Sequence, residues 1–174
     1  MKKIILGILM VVFVSNSYSQ KLVENKIDEF TKESIKRTNW DIMYTDMGGF
    51  VLRYRLSKIN NYYFIELKIF ASGDFIIIPK DSDFMLKKSN DDIITLKSIN
   101  NESSCIGCGA IGLVASEAYG IWSKYNINLE EINKLKTDKI IKIRIYTDKA
   151  YYDKEININK SKKFIKHLEL IVGG

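Results

Sequence analysis

Apolar and polar positions alternate with period two through most of the middle of the chain. Over 50–56, Phe50, Leu52, Tyr54 and Leu56 alternate with Arg53 and Arg55, which puts the four apolar side chains on one face of a strand. Asn60 and Asn61 follow, and asparagine tolerates the left-handed backbone that a tight hairpin demands. The return run sets Tyr63, Ile65, Leu67 and Ile69 against Phe64, Glu66 and Lys68. A second hairpin is expected around Ser89-Asn90-Asp91, with Phe84, Leu86 and Lys88 entering it and Ile94, Leu96 and Ser98 leaving it. Between the pairs, Phe75-Ile76-Ile77-Ile78 reads as a short strand buried on both faces, ended by Pro79, which has no N–H to give to a ladder. Before residue 45 the pattern is weaker. Strands fit 27–31 and 38–44 better than helices do.

The last third changes period. Residues 121–127 alternate, and Asn128 then reads as the cap of a short helix, with Glu131 completing a capping box and Ile127 and Ile132 placed to staple across it. Leu129, Ile132 and Leu135 are expected to share one face of that helix. Ile141, Ile143 and Ile145 alternate as a strand, Asp148-Lys149 turns the chain, and 152–158 returns. Phe164, Leu168 and Ile171 lie at i, i+4 and i+7, a helical stripe, with Asn159 as its expected cap. The order of elements predicts an α+β domain, a mostly antiparallel β-sheet with two short helices in the C-terminal third packed on one face.

The first twenty residues have a different pattern. Met1-Lys2-Lys3 is followed by an apolar run over 4–14 and then by small and polar residues, with Ser17 and Ser19 at the positions a signal peptidase reads before Gln20. The apolar run is shorter than the roughly 20 residues that span a bilayer. We therefore expect residues 1–19 to be a cleaved signal peptide and 20–174 to form a single domain with no stable transmembrane anchor. The expected location is the periplasm or the cell exterior, and with no Cys near the cleavage point a lipid anchor is not expected.

Composition adds exclusions. The 174 residues carry 27 Lys and Arg against 21 Asp and Glu, for a net charge of +6. Apolar residues make up 46 % of the chain and charged residues 28 %, a globular profile rather than a disordered one. Two Cys are too few to staple a chain of this length, and a single His closes off any site that needs two imidazoles. Residues 20–104 hold 13 basic and 13 acidic side chains, and 105–174 hold 12 and 8, so the excess lies in the C-terminal part. Lys outnumbers Arg 23 to 4, which argues against a phosphate reader built on guanidinium forks, and no nucleic-acid partner is expected.

Cys105-Ile106-Gly107-Cys108-Gly109 is the sharpest chemical feature. Two thiols at this spacing can form a dithiol/disulfide couple, and an oxidising compartment would bond them. Detailed agreement with thioredoxin is missing, because Ser104 precedes the first Cys and the only proline, Pro79, lies upstream. Haem attachment needs His where Gly109 stands. No metal site and no cofactor are expected, since zinc wants about four ligands. His167 reads as a surface residue near a helix C-terminus. Lys160, Lys162, Lys163 and Lys166 are the candidate surface for an anionic partner, although a lysine run is more often simply a solvated helix face. Asp81-Ser82-Asp83 and Asp91-Asp92 lack the rest of a calcium loop and read as turns. Tyr62, Tyr63, Tyr146, Tyr151 and Tyr152 could compose an aromatic face, and the apolar run 110–115 could be a buried strand, a packed loop or an exposed docking patch.

Ser19-Gln20 at the end of the signal, Asp28-Glu29-Phe30-Thr31 followed by Thr38-Asn39-Trp40, and Tyr125-Asn126-Ile127 before a capped helix resemble small exported proteins of Bacteroidota. The resemblance implies an envelope or secreted location in a Gram-negative cell and carries no catalytic residues. The sequence thus leads to an exported, non-enzymatic protein that binds a protein or an envelope component. A thiol-disulfide redox protein using Cys105 and Cys108 is the alternative.

Overall fold

The computed structural model describes residues 21–71, 75–110 and 118–173. The expected signal peptide and most of the apolar run 110–115 lie outside them. The strands are β1 (Leu22–Ile27), β2 (Ser34–Thr38), β3 (Asp41–Thr45), β4 (Phe50–Ile59), β5 (Tyr62–Ala71), β6 (Ile77–Ile78), β7 (Asp83–Lys88), β8 (Ile93–Lys97), β9 (Glu102–Ser103), β10 (Cys105–Ile106), β11 (Tyr119–Ile127), β12 (Ile140–Tyr146) and β13 (Tyr151–Glu155). The helices are α1 (Leu129–Lys136) and α2 (Ile158–Val172). Every pairing is antiparallel, and the α+β class and C-terminal placement of both helices follow the sequence reading.

The larger sheet runs β1-β2-β4-β5-β11-β10, and β3 also lies on β4. Strands β2 and β3 share one edge of β4. Ile35, Lys36 and Arg37 pair with Ile59, Lys58 and Ser57, while 41–45 pair with 51–54. The edge breaks at Thr38-Asn39-Trp40, where the Leu56 N–H donates to Thr38 Oγ1 at 3.0 Å in place of a backbone carbonyl. A hydroxyl completes the ladder there and frees Trp40 to turn outward.

The inner face of this sheet carries the core. Leu52, Tyr54 and Leu56 on β4, Ile65, Leu67 and Ile69 on β5, and Ile121 and Tyr125 on β11 are all 1 % exposed or less. Helix α2 crosses β2, β3 and β4, with Phe164 4.9 Å and His167 5.3 Å from the Tyr54 ring. The second sheet, β13-β12-β7-β8, closes the other side, where Phe84 meets Tyr125 at 5.2 Å.

Several local expectations are corrected. Phe75 is 47 % exposed, and only Ile77–Ile78 of the segment 75–78 is strand, a two-residue pairing with β9. The strand expected over 27–31 ends at Ile27, and 28–31 is a turn held by the Asp28 carboxylate, which accepts from the N–H groups of Phe30 and Thr31. Those two bonds hold its carboxyl below the usual carboxylate range. A bulge between Ile140 and Lys142 turns Ile140 inward and Ile141 outward, while Ile143 and Ile145 stay buried. The return strand expected over 152–158 stops at Glu155, and Asn157 rather than Asn159 caps α2, its side chain accepting from the Asn159 N–H. Leu129 is 47 % exposed, leaving Ile132 and Leu135 as the buried pair of α1. The Asn128 and Glu131 capping box forms as expected. His167 is fully buried on the same stripe as Phe164, Leu168 and Ile171 rather than at the surface.

Candidate functional site

The outer face of the larger sheet is polar, and its register arranges it in rows. Arg55 on β4, Glu66 on β5 and Lys124 on β11 lie directly opposite one another. One step along, Arg53, Lys68 and Trp122 form the next row. One step the other way, Arg37 on β2 faces Ser57 and Phe64. Period-two alternation sends each of these side chains away from the core, so the residues left over from the apolar pattern meet on one surface.

Glu66 is the centre of this face and is only 2 % exposed. Its Oε2 accepts from Arg55 Nε at 3.0 Å and Nη2 at 2.7 Å, and from Trp122 Nε1 at 3.2 Å. These three donors offset the cost of taking the carboxylate out of water. The Arg55 guanidinium lies 4.7 Å from the centre of the Trp40 ring and 5.4 Å from that of Trp122, and the two indoles meet edge to face at 6.3 Å. Lys68 Nζ takes similar positions, 5.1 and 5.5 Å from the same rings, and donates to the Ala110 carbonyl. The chain contains four Arg and two Trp, and three of the Arg and both Trp are on this face.

The cations outnumber their carboxylates. Arg37 Nη1 donates to Glu24 at 2.5 Å, but its Nε is buried without a hydrogen-bond partner, 3.9 Å from Glu66 Oε1. Lys124 forms no ion pair among the described residues, and its Nζ sits 3.8 Å above the Phe64 ring. Burial first, with Arg37 and Arg55 adding to it and Glu66 opposing, lowers the Lys124 pKa. Burial and the neighbouring Arg55 and Arg53 lower that of Lys68 in the same way. By contrast, the fourth arginine, Arg144 on the second sheet, is matched: Asp153 accepts from its Nε at 2.5 Å and Nη2 at 2.7 Å. That pairing holds the Asp153 carboxyl down to about 2.

A loop walls the cationic face and makes it a groove of about 680 Å³, lined by Arg37, Arg55, Glu66, Trp122 and Lys124 on the sheet side and by 100–103, Cys105 and Cys108 on the loop side. The Ile99 N–H donates to the Lys124 carbonyl at 3.0 Å, and β10 pairs with the start of β11. Ser104 fastens the loop from behind, its Oγ accepting from the Ile76 N–H and donating to the Ile76 carbonyl, both at 2.9 Å. The sulfurs of Cys105 and Cys108 lie at bonding distance, with Cα atoms 5.4 Å apart, and Gly107 makes the turn between them at φ 75°. Gly109 and Gly120 let the two chains touch. A Cβ on Gly120 would come within 2.6 Å of the Gly109 backbone.

The remaining sequence candidates fall elsewhere. Lys162 and Lys166 are exposed on α2, Lys160 and Lys163 are half-buried, and Lys163 Nζ is 3.6 Å from Asp41. This helix packs on the inner face of the sheet, so the lysine run does not meet the groove. Tyr62 and Tyr63 belong to the larger sheet, whereas Tyr146 and Tyr151 pair at 5.7 Å on the second. Asp81 and Asp91 occupy left-handed turn positions. Among the described residues, no three His, Cys, Asp or Glu side chains gather as metal ligands. Sequence reading located Cys105 and Cys108 but missed the groove beside them. The signal was present in the polar half of each alternating run, and only strand register brings those halves together. Comparison of the chain with protein-family models, with curated proteins and with solved structures finds no match.

Proposed function

We propose that the chain is exported after removal of residues 1–19 and acts as a non-enzymatic binding protein, holding an envelope or extracellular ligand in the groove on the outer face of its larger sheet. The observation that carries this reading is the convergence of both Trp and three of the four Arg on one sheet face, of which Arg37, Arg55 and Trp122 line the walled groove. Such residues are rare in this chain, and folding alone does not require them to share a solvent-facing site. The groove volume is in the range of small-ligand sites.

Two measurements test the reading. N-terminal sequencing of the protein recovered outside the cytoplasm is expected to begin at Gln20. A start at Met1 in a cytoplasmic fraction overturns export. Small-molecule extract of the cell envelope and medium is expected to raise the melting temperature of the chain, an effect that Lys124→Gln removes and Lys162→Gln keeps. No shift, or a shift insensitive to Lys124, counts against binding in the groove.

The redox alternative is favoured by one feature, the exposure of Cys105 at the groove rim. Turnover in an insulin-reduction assay, lost in Cys105→Ser, would establish it.

A further inference from the structure

We infer that the ligand of this groove is an acidic saccharide, bound with a ring against Trp122 and its carboxylate on Lys124 and Arg37. The inference rests on the binding reading above and names its chemistry.

Charge gives the first constraint. The floor brings Arg37, Arg55 and Lys124 together around one carboxylate, Glu66, whose Oε2 takes three donors from Arg55 and Trp122 and whose Oε1 lies 3.9 Å from Arg37 Nε. Arg53 and Lys68 stand in the adjoining row. What is left over is cationic: the Lys124 ammonium, which has no carboxylate partner among the described residues and whose charge burial opposes, beside Arg37, which lines the groove and shares Glu24 with Lys26. Half-buried cations gain most from a counter-charge that enters their low-dielectric setting, so the complementary ligand bears an anion.

The wall gives the second constraint. Asn100, Asn101, Glu102 and Ser103 offer two amides, a carboxylate and a hydroxyl rather than more cations. Asn101 Oδ1 accepts from the Lys80 N–H, which fixes the side chain and leaves its NH₂ to donate. Asn100 Nδ2 donates to Glu102, which leaves the Asn100 oxygen to accept. A wall of mixed donors and acceptors with a carboxylate suits hydroxyl groups. A ligand densely charged with phosphate or with Asp and Glu side chains would be repelled by Glu102 at the rim and gains nothing from Glu66.

Trp122 gives the third. Its Nε1–H is committed to Glu66, which locks the indole in place, yet the residue remains 45 % exposed. Arg55 and Lys68 lie 5.4 and 5.5 Å from the ring centre, and the part of the indole they leave exposed is an apolar surface that the C–H face of a pyranose can cover. Rings with several hydroxyls and one carboxylate each satisfy all three constraints, and the groove volume admits a short oligomer of them.

Isothermal titration of the purified chain with oligosaccharides of galacturonate, alginate and hyaluronate tests this. Matched neutral oligosaccharides, inorganic phosphate, ATP and an Asp-rich hexapeptide serve as comparisons. At least one acidic oligosaccharide is expected to bind, at least tenfold tighter than its neutral counterpart, more weakly as salt rises. Lys124→Gln and Trp122→Ala should each weaken it at least tenfold, with melting temperatures checked to show that both variants fold, while Lys162→Gln leaves it unchanged. Absence of binding across the acidic set overturns the inference, as does binding that ignores charge or either groove variant. Tighter binding of phosphate, ATP or the acidic peptide through Lys124 also overturns it but keeps the groove as a binding site. If envelope extract still stabilises the chain through Lys124 while every acidic saccharide fails, the saccharide is wrong and the binding reading stands.

Discussion

Arg55 grips Glu66 with two N–H groups across the β4–β5 pair, and the carboxylate it grips is among the least exposed charges of the described residues. Removing one partner of a buried ion pair strands the other, which is far more damaging than losing an exposed pair. Glu66→Gln keeps the shape, but leaves Arg55 without its counter-charge and Arg37 with Glu24 alone. Its stability is expected to fall by about 3 kcal/mol in chemical denaturation. A change below about 0.5 kcal/mol, the range of exposed surface pairs, would show that water already screens this site.

The wall of the groove depends on a glycine contact. A Cβ at Gly120 would stand 2.5 Å from the Gly109 nitrogen and 2.9 Å from the Ile69 carbonyl oxygen, and backbone cannot yield as a side chain can. Gly120→Ala should therefore lift the cysteine loop off β11 at a cost of about 2 kcal/mol, the usual scale of overpacking. Hydrogen exchange is expected to rise at Gly107, whose N–H donates to the Ala118 carbonyl, and to stay unchanged at the β4–β5 pair. Uniform acceleration in both regions would mean that the glycine supports the whole sheet.

What could be read in the sequence was what depends on local period. The β4–β5 and β7–β8 hairpins and the box that caps α1 follow from spacing within a few residues, and the structure has them. Ile141 failed because a single bulge shifts the phase of a strand, and no period-two count detects it. His167 failed for a different reason. It sits three residues after Phe164 and next to Leu168, hence on the apolar stripe, where helical position rather than polar character decides its burial. The groove was illegible because Arg55, Glu66 and Lys124 are far apart in sequence and become neighbours only through the register of three strands. The lysine run on α2 was the louder signal in composition, yet one of its members, Lys163, leans toward Asp41 and none faces the groove.

The Cys105–Cys108 bond closes a loop of four residues, and closing a loop that short removes little chain entropy. Cys105→Ser with Cys108→Ser is expected to lower stability by about 2 kcal/mol or less, and the fold persists because Ser104 and the β10–β11 pairing still hold the segment. Its effect on the groove is expected to be larger in proportion, since both sulfurs line the wall. Circular dichroism that stays native while affinity for the groove ligand drops severalfold is the expected pair of results. Global unfolding on reduction would assign the bond a role in the whole domain.

Stability should also depend on His167. Both ring nitrogens are buried without hydrogen-bond partners, and the ring packs against Tyr54 at 5.3 Å. Burial holds its pKa down to about 4; Asp41 opposes the shift, and Lys163 reinforces it. In the unfolded chain a histidine titrates near 6.5, so between these values the unfolded state binds the extra proton. The contribution of neutral His167 is therefore complete above about pH 6.5 and declines as pH falls toward about 4, with about 2 kcal/mol gone by about pH 5. Carboxylates such as Asp153, held low by their partners, lose their contribution only at lower pH, so the two effects separate. Replacing the imidazole by an apolar ring, His167→Phe, removes the titrating group from a site that is already apolar. The variant should match or exceed the parent at pH 5 and lose the slope between about pH 4 and about pH 6.5 in denaturant titrations. An unchanged slope would place the acid sensitivity of the fold on its carboxylates instead.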